Sequence, residues 1–77
     1  MSELKPISAK KLLKVLSRMG FQTVRQKGSH IRLVHPDGRR VTVPIHPNQE
    51  LDRSFIRMVI KEIKVTKEEF IKHLEEV

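Results

Sequence analysis

The 77-residue chain contains no cysteine, and none of its apolar runs is long enough to span a bilayer. Without cysteine, no disulfide can stabilise the fold, and no thiolate can act as a nucleophile or a zinc ligand. A membrane helix needs about 20 predominantly apolar residues, and the opening residues MSELKPIS lack the apolar core of a signal peptide. These absences predict a soluble, cytoplasmic protein that folds by packing alone.

Acidic residues are scarce in the first part of the chain. Residues 1–46 carry ten Lys and Arg against two acids, whereas residues 47–77 carry six against seven. A one-sided positive field attracts a polyanion, so nucleic acid is the first partner to consider. A membrane surface is less favoured, because the basic half has no exposed aromatic anchors. A solvated basic surface that serves only solubility is the alternative.

The length predicts one domain over residues 1–77, and three helices are predicted from apolar periodicity and caps. The first helix begins at Ser8 as N-cap and ends at Gly20, with Phe21 placed for a Schellman stop. The third helix is short and follows a capping box of Thr66 and Glu69. The second helix carries five apolar residues on one side, namely Phe55, Ile56, Val59, Ile60 and Ile63.

Three extended stretches lie between the first two helices, at about 21–26, 30–35 and 40–45. The second stretch alternates, with Ile31 and Leu33 directed to a core, and a Pro-Asp-Gly turn joins it to the third as a hairpin. The predicted fold is α+β in the order α-β-β-β-α, with a three-stranded antiparallel sheet, helices on one face and a short extra C-terminal helix. The other sheet face is then free to be polar.

That free face is predicted to carry His30, Arg32 and Arg40. Histidine changes charge near neutral pH, so on a wet basic face it can take a proton from the 2′-hydroxyl of RNA, which then attacks the adjacent phosphate. Gly28 allows a tight turn and a close approach of the backbone to a ligand, and Ser29 adds a hydroxyl. The alternative for His30 is an exposed strand residue without a function.

The remaining histidines carry weaker signals. His46 lies between Pro44 and Pro47, where it can serve as a second proton carrier or phosphate donor, or simply hydrogen-bond the backbone after the strand. His35 and His73 are assigned no chemistry. Four histidines without cysteine match no zinc pattern, so neither a metal nor a cofactor is predicted.

Three segments of the chain match the pattern of a known family. They are LSRMGF at the end of the first helix, RQKGSHIRLVHPDGRRVTVPIHP through the sheet and VTKEEFIKHL at the end. With these segments the chain resembles the HicA mRNA interferase toxins, also called YcfA-like, of toxin–antitoxin systems. The resemblance implies a fold like the double-stranded RNA-binding domain and ribosome-independent mRNA cleavage with His30 as the catalytic residue. It also implies a HicB antitoxin that covers the site and whose DNA-binding part lets the complex repress its own operon.

We therefore predict a toxin that cleaves mRNA without a metal, uses His30 as general acid or base, and is inhibited by a HicB-type antitoxin. The other predicted RNA-binding residues are Lys10, Lys11, Lys14, Arg25, Lys27, Gly28, Ser29, Arg32 and His46. One alternative is a double-stranded RNA-binding module without activity. Another is a protein-interaction domain whose cations bind an acidic partner.

Overall fold

Helices and strands follow one another in the predicted order. The computed structural model describes residues 4–45 and 50–77, so the predictions for His46 fall outside the described residues. The elements in these ranges are β1 (Ile7–Ser8), α1 (Ala9–Arg18), β2 (Gln22–Lys27), β3 (His30–Val34), β4 (Arg40–Pro44), β5 (Glu50–Leu51), α2 (Arg53–Glu62) and α3 (Lys67–Glu75). The α+β fold with the order α-β-β-β-α is confirmed, and α3 is the predicted extra helix.

Both ends of α1 have the predicted caps. The Ser8 hydroxyl accepts a hydrogen bond from the backbone amide of Lys11 at 3.1 Å, which satisfies a donor of the first turn. At the other end Gly20 has a φ of +101°. The amide of Phe21 there donates to the carbonyl of Leu16 at 3.0 Å. This is the bond of a Schellman motif, and it turns the chain from the helix into the sheet.

The three-stranded sheet has the order β2-β3-β4 with antiparallel neighbours. Its inner face packs on the helices, since α1 and α2 both contact β4. Burial of each large apolar side chain contributes about 1.5–3 kcal/mol, so the alternation of β3 and β4 holds the sheet to the helices. The buried residues of this inner face are Ile31, Leu33, Val41 and Val43, as predicted for the two in β3.

A second, two-stranded sheet was not predicted. Ile7 of β1 pairs with Leu51 of β5 in antiparallel orientation. Each strand leads directly into a helix, α1 after β1 and α2 after β5. The carboxylate of Asp52 caps α2 by accepting from the amide of Phe55 at 2.9 Å. Two-residue strands show no alternation that a sequence pattern can detect, but this pair fixes the starts of two helices side by side.

The last helix closes the core. The Thr66 hydroxyl accepts from the amide of Glu69 at 3.0 Å, which is the predicted cap of α3. Phe70 is completely buried among residues of α1, α2 and the sheet. An ion pair between Arg18 and Glu76 joins the end of α1 to the end of the chain. Four of the five apolar residues predicted on α2 are buried as well, namely Ile56, Val59, Ile60 and Ile63.

His35 has a structural role that sequence reasoning missed. Its Nε2 lies 3.2 Å from the carbonyl oxygen of Met19, and its ring meets the edge of Phe21 with centroids 5.1 Å apart. The guanidinium of Arg39 lies 5.3 Å from the centroid of the same phenyl ring and donates to the carbonyl of Ile63. These contacts join the end of α1, the β3–β4 turn and the end of α2.

We expect Gly20→Ala to destabilise the fold more than Gly38→Ala does. Both glycines have positive φ, which costs a side-chain-bearing residue about 1–2 kcal/mol. A Cβ at Gly20 would also meet Nε2 of His35 at 2.9 Å, whereas one at Gly38 meets nothing within 4 Å. Overpacking adds about 1–3 kcal/mol to the first variant. Urea denaturation of both variants measures the difference, and equal losses would show that His35 moves away freely.

The Asp37 carboxylate in the β3–β4 turn gives a pH prediction. The backbone amide of Arg39 donates to it at 3.1 Å and the guanidinium at 2.8 Å. These bonds, the amide first, hold the pKa of Asp37 below its usual 3.8. A carboxylate whose pKa is lower in the folded than in the unfolded chain stabilises the fold at pH values above its unfolded pKa. This stabilisation is lost as the pH falls through its folded pKa. Between about pH 6 and pH 2, the urea midpoint of unfolding should therefore fall less for Asp37→Asn than for the wild type. An equal fall in the two proteins would contradict this stabilising role of Asp37.

Candidate functional site

The outer face of β3 carries three residues, of which His30 and Arg32 are polar, and each of these two has a neighbour on both adjacent strands. Alternate side chains of a strand point to opposite faces of the sheet. Because Ile31 and Leu33 are buried, the side chains of His30 and Arg32 point away from the core. The cross-strand rows are Lys27–His30–Pro44 and Arg25–Arg32–Thr42. Side chains that lie directly opposite each other have Cβ atoms about 4.5–5.5 Å apart. His30 therefore lies within reach of cations from β2 and from its own strand.

A β-bulge in β2 brings two of these cations to the face of His30. The register shifts between Thr23 and Arg25, so Val24 is an extra residue without an opposite partner. Strict alternation would put Arg25 and Lys27 on the inner side with Thr23, and the one-residue insertion reverses this. The sequence of β2 does not alternate, so the bulge was not predictable from it.

The site residues line one shallow cavity of about 180 Å³. None of its lining residues is acidic, and three of them are cations. Guanidinium groups bind phosphate oxygens through paired hydrogen bonds, and an imidazole can transfer a proton. The arrangement can therefore bind a phosphate and exchange a proton beside it. The lining residues are Arg25, Lys27, His30, Arg32 and Thr42.

Gly28 and Ser29 form the two-residue turn that leads into His30. Gly28 has a φ of +59°, which glycine adopts without strain. A Cβ at this position would meet nothing within 4 Å, so the turn is open to solvent. The carbonyl of Ser29 accepts from the amide of Ile45, which ties the turn to the end of β4. The backbone around His30 is thus held on two sides.

The predicted lysines of the first helix lie elsewhere. They are exposed on α1, in the helix layer on the inner side of the sheet. They line a separate cavity of about 330 Å³, which shares no residue with the one around His30. The predicted RNA-binding residues are therefore divided between two surfaces. The second cavity is lined by Ser8, Lys10, Lys11, Lys14 and Val77.

A further row of cations on α2 escaped the sequence analysis. Arg53, Arg57 and Lys61 are exposed and spaced by four residues, which places them along one side of the helix. The near-neutral total charge of residues 47–77 concealed this row. Their spacing was the signal that would have revealed it.

In residues 4–45 and 50–77, the parts of the chain that the structure describes, no three His, Asp or Glu side chains converge in a way that would hold a metal ion. In those same ranges, none of the helices has the length and apolar character needed to cross a membrane.

Fold and site together define a small α+β domain with an open, basic sheet face around one histidine. The family described as the HicA toxin of bacterial toxin–antitoxin systems matches residues 9–65 of the 77. The chain therefore belongs to the HicA toxin family and is a toxin of a toxin–antitoxin system. The match includes every residue of the cavity around His30, and α3 lies beyond it. No curated protein matches the chain.

The pairing of two arginines across β2 and β3 gives a stability prediction. Arg25 and Arg32 lie directly opposite each other, and like charges in that position are destabilising by about 0.2–1 kcal/mol. Arg32→Thr should therefore raise the free energy of unfolding at low salt, and the gain should shrink at high salt because salt screens the repulsion.

The matched control is Arg40→Thr, since Arg40 is also on the outer face but lies opposite Val34. It reports the effect of placing threonine in a strand without relieving a charge pair. Urea denaturation at two salt concentrations measures both variants. Equal, salt-independent gains would show that strand propensity alone stabilises the threonine variants.

Proposed function

We propose that this toxin is an endoribonuclease that cleaves mRNA without a metal ion, with His30 as the general acid or base. One observation carries the proposal: a histidine on an open sheet face lines a single cavity with cations from two strands. RNA supplies both things that this site can use, a phosphate for the cations and a 2′-hydroxyl for the histidine. DNA lacks that hydroxyl and offers the histidine no nucleophile.

The cations have distinct tasks in the proposed reaction. Arg25 and Arg32 are adjacent across the strands, and their guanidinium groups bind the phosphate oxygens. Lys27, opposite His30, adds a positive charge where negative charge develops on the pentacoordinate phosphorus. Gly28 and Ser29 offer a backbone amide and a hydroxyl at the open turn. Binding and charge stabilisation thus come from the protein's own groups.

The proposed chemistry transfers one proton from the 2′-hydroxyl to His30. The 2′ oxygen then forms a bond to the adjacent phosphorus, and the bond from phosphorus to the 5′ oxygen breaks. The 5′ oxygen takes a proton as it leaves, from the protonated histidine or from a second group, for which His46 is the candidate by sequence. The products are a 2′,3′-cyclic phosphate, which water can hydrolyse, and a 5′-hydroxyl.

The proposed protein partner is a HicB-type antitoxin. A toxin of a toxin–antitoxin system is paired with an antitoxin, and the family match supports this class of partner. The basic face around His30 favours a partner with acidic side chains, which would neutralise the cations and exclude RNA at once. The alternative of a protein-interaction domain whose cations bind an acidic partner is therefore part of the same proposal.

A double-stranded RNA-binding module without activity is the other candidate that the fold raises. Such modules grip the phosphates of a duplex with a lysine cluster at the start of their second helix. At that position this chain has a single cation, Arg53, beside the carboxylate of Asp52, which caps α2. One cation next to an acid binds phosphates less well than a lysine cluster, which supports cleavage at the sheet face over duplex binding.

His30→Ala should lower the cleavage rate by about 10²–10⁴-fold, because it removes the proton carrier. It should leave the protein folded and the RNA bound, since the cations remain. The assay incubates the protein with a long unstructured RNA in EDTA and follows both fragment formation and the terminal groups of the fragments.

Thr42→Ala is the matched control, because Thr42 lines the same cavity without a titratable group. It should change the rate only slightly. Undiminished cleavage by His30→Ala would reject the catalytic assignment. Tight binding of duplex RNA without cleavage by any variant would favour the binding-module function instead.

A further inference from the structure

The three lysines of α1 form a surface that the proposed reaction does not use. We propose that this α1 lysine surface, Lys10, Lys11 and Lys14, binds the backbone of a distant part of the RNA strand that is cleaved at His30. This rests on the proposed function and narrows its substrate class. The preferred substrate is a single strand long enough to reach both surfaces.

The arrangement of these charges is unfavourable within the folded chain. Lys10 and Lys14 are four residues apart and Lys11 and Lys14 three apart, and like charges at these spacings destabilise a helix. Lys10 and Lys11 lie in the first turn of α1, which has no acidic residue. The helix dipole disfavours cations at that end. Binding of an external anion would relieve both repulsions.

The other end of α1 shows how the same helix accommodates a cation. Arg18 lies in the last turn, where the dipole favours positive charge, and forms an ion pair with Glu76. Within residues 4–45 and 50–77, no comparable ion pair is formed by Lys10, Lys11 or Lys14. The contrast supports a ligand for the lysines that lies outside the chain.

The shape and residue type of the α1 lysine surface suit an RNA backbone. Its cavity of about 330 Å³ is larger than the one of about 180 Å³ around His30. Lysines are flexible point charges, whereas arginines fix an anion through a rigid fork. The arginines at the sheet face therefore hold the reacting phosphate, and the lysines retain a strand whose position matters less. Phosphate contacts of this kind position a nucleic acid without reading its sequence.

The distance between the two surfaces sets the length of the substrate. They lie on different layers of a domain whose shortest dimension is 20 Å. A stacked strand advances about 3.4 Å per nucleotide, so roughly six nucleotides are needed to span this dimension, and a strand that passes around the domain needs more. A shorter RNA can occupy one surface only. A longer RNA that is bound at one surface reaches the other surface intramolecularly. Its overall affinity is therefore higher than that of either contact alone.

The experiment compares two triple variants on two lengths of RNA. The first variant is Lys10→Gln with Lys11→Gln and Lys14→Gln. The matched control is Arg53→Gln with Arg57→Gln and Lys61→Gln, which removes the same charge from the exposed row on α2. Single-stranded RNAs of about 4 and about 20 nucleotides bracket the expected threshold. Circular dichroism checks that both variants fold, and KM and kcat are measured at several salt concentrations.

For the wild type and the α2 control, KM should be about tenfold lower on the long RNA than on the short one. The α1 variant should lose this advantage, so that its KM on the long RNA rises to that on the short RNA while kcat is unchanged. Its salt exponent on the long RNA should fall by about 2, since three phosphate contacts on a single strand are removed.

Three results would overturn the inference. They are a wild-type KM that does not depend on length, equal losses in the two triple variants, and an α1 variant that keeps its RNA kinetics but escapes inhibition by an acidic antitoxin. The last result would assign the surface to the protein partner. If the wild type cleaves no RNA, the proposed function fails separately, and direct binding of the same labelled RNAs decides the inference by the same comparisons.

Discussion

The antiparallel pairing of β3 with a strand on each side is the constraint on which the rest of the structure depends. Because alternate side chains of a strand point to opposite faces, the burial of Ile31 and Leu33 against the helices forces His30 and Arg32 outward. A shift of one residue in the register of β3 would turn Ile31 and Leu33 outward and His30 and Arg32 inward, which would destroy the core and the site together. The apolar core therefore fixes the chemistry of the open face. The same pairing explains why a domain this small can expose so much charge on one side.

The elements around this strand were predictable where a local pattern determined them. Alternation gave β3 and β4, and the residues that cap a helix gave the ends of α1 and the start of α3. The position of His30 on the polar face followed from alternation alone. These features depend on neighbours within a few residues, which is the range over which a sequence pattern carries information.

Features that depend on distant residues were not predictable. The bulge at Val24 is visible only against the register of β3. His35 supports the fold because the end of α1 and the phenyl ring of Phe21 surround it. Lys10 and Lys14 are exposed on α1, but the apolar periodicity of a helix carries no information on which layer of the domain its exposed side belongs to. The positive charge of the first 46 residues is therefore distributed over surfaces that composition cannot separate.

The bulge in β2 also affects how copies of the protein meet one another. β2 and β4 are the edges of the three-stranded sheet, and a regular edge invites the edge of another molecule to pair with it. Val24 interrupts the ladder on one edge, and Pro44, which has no amide hydrogen, ends the other. Arg25 and Lys27 add like charges along the bulged edge. The irregular strand that directs cations toward His30 thus also protects a highly exposed sheet from aggregation.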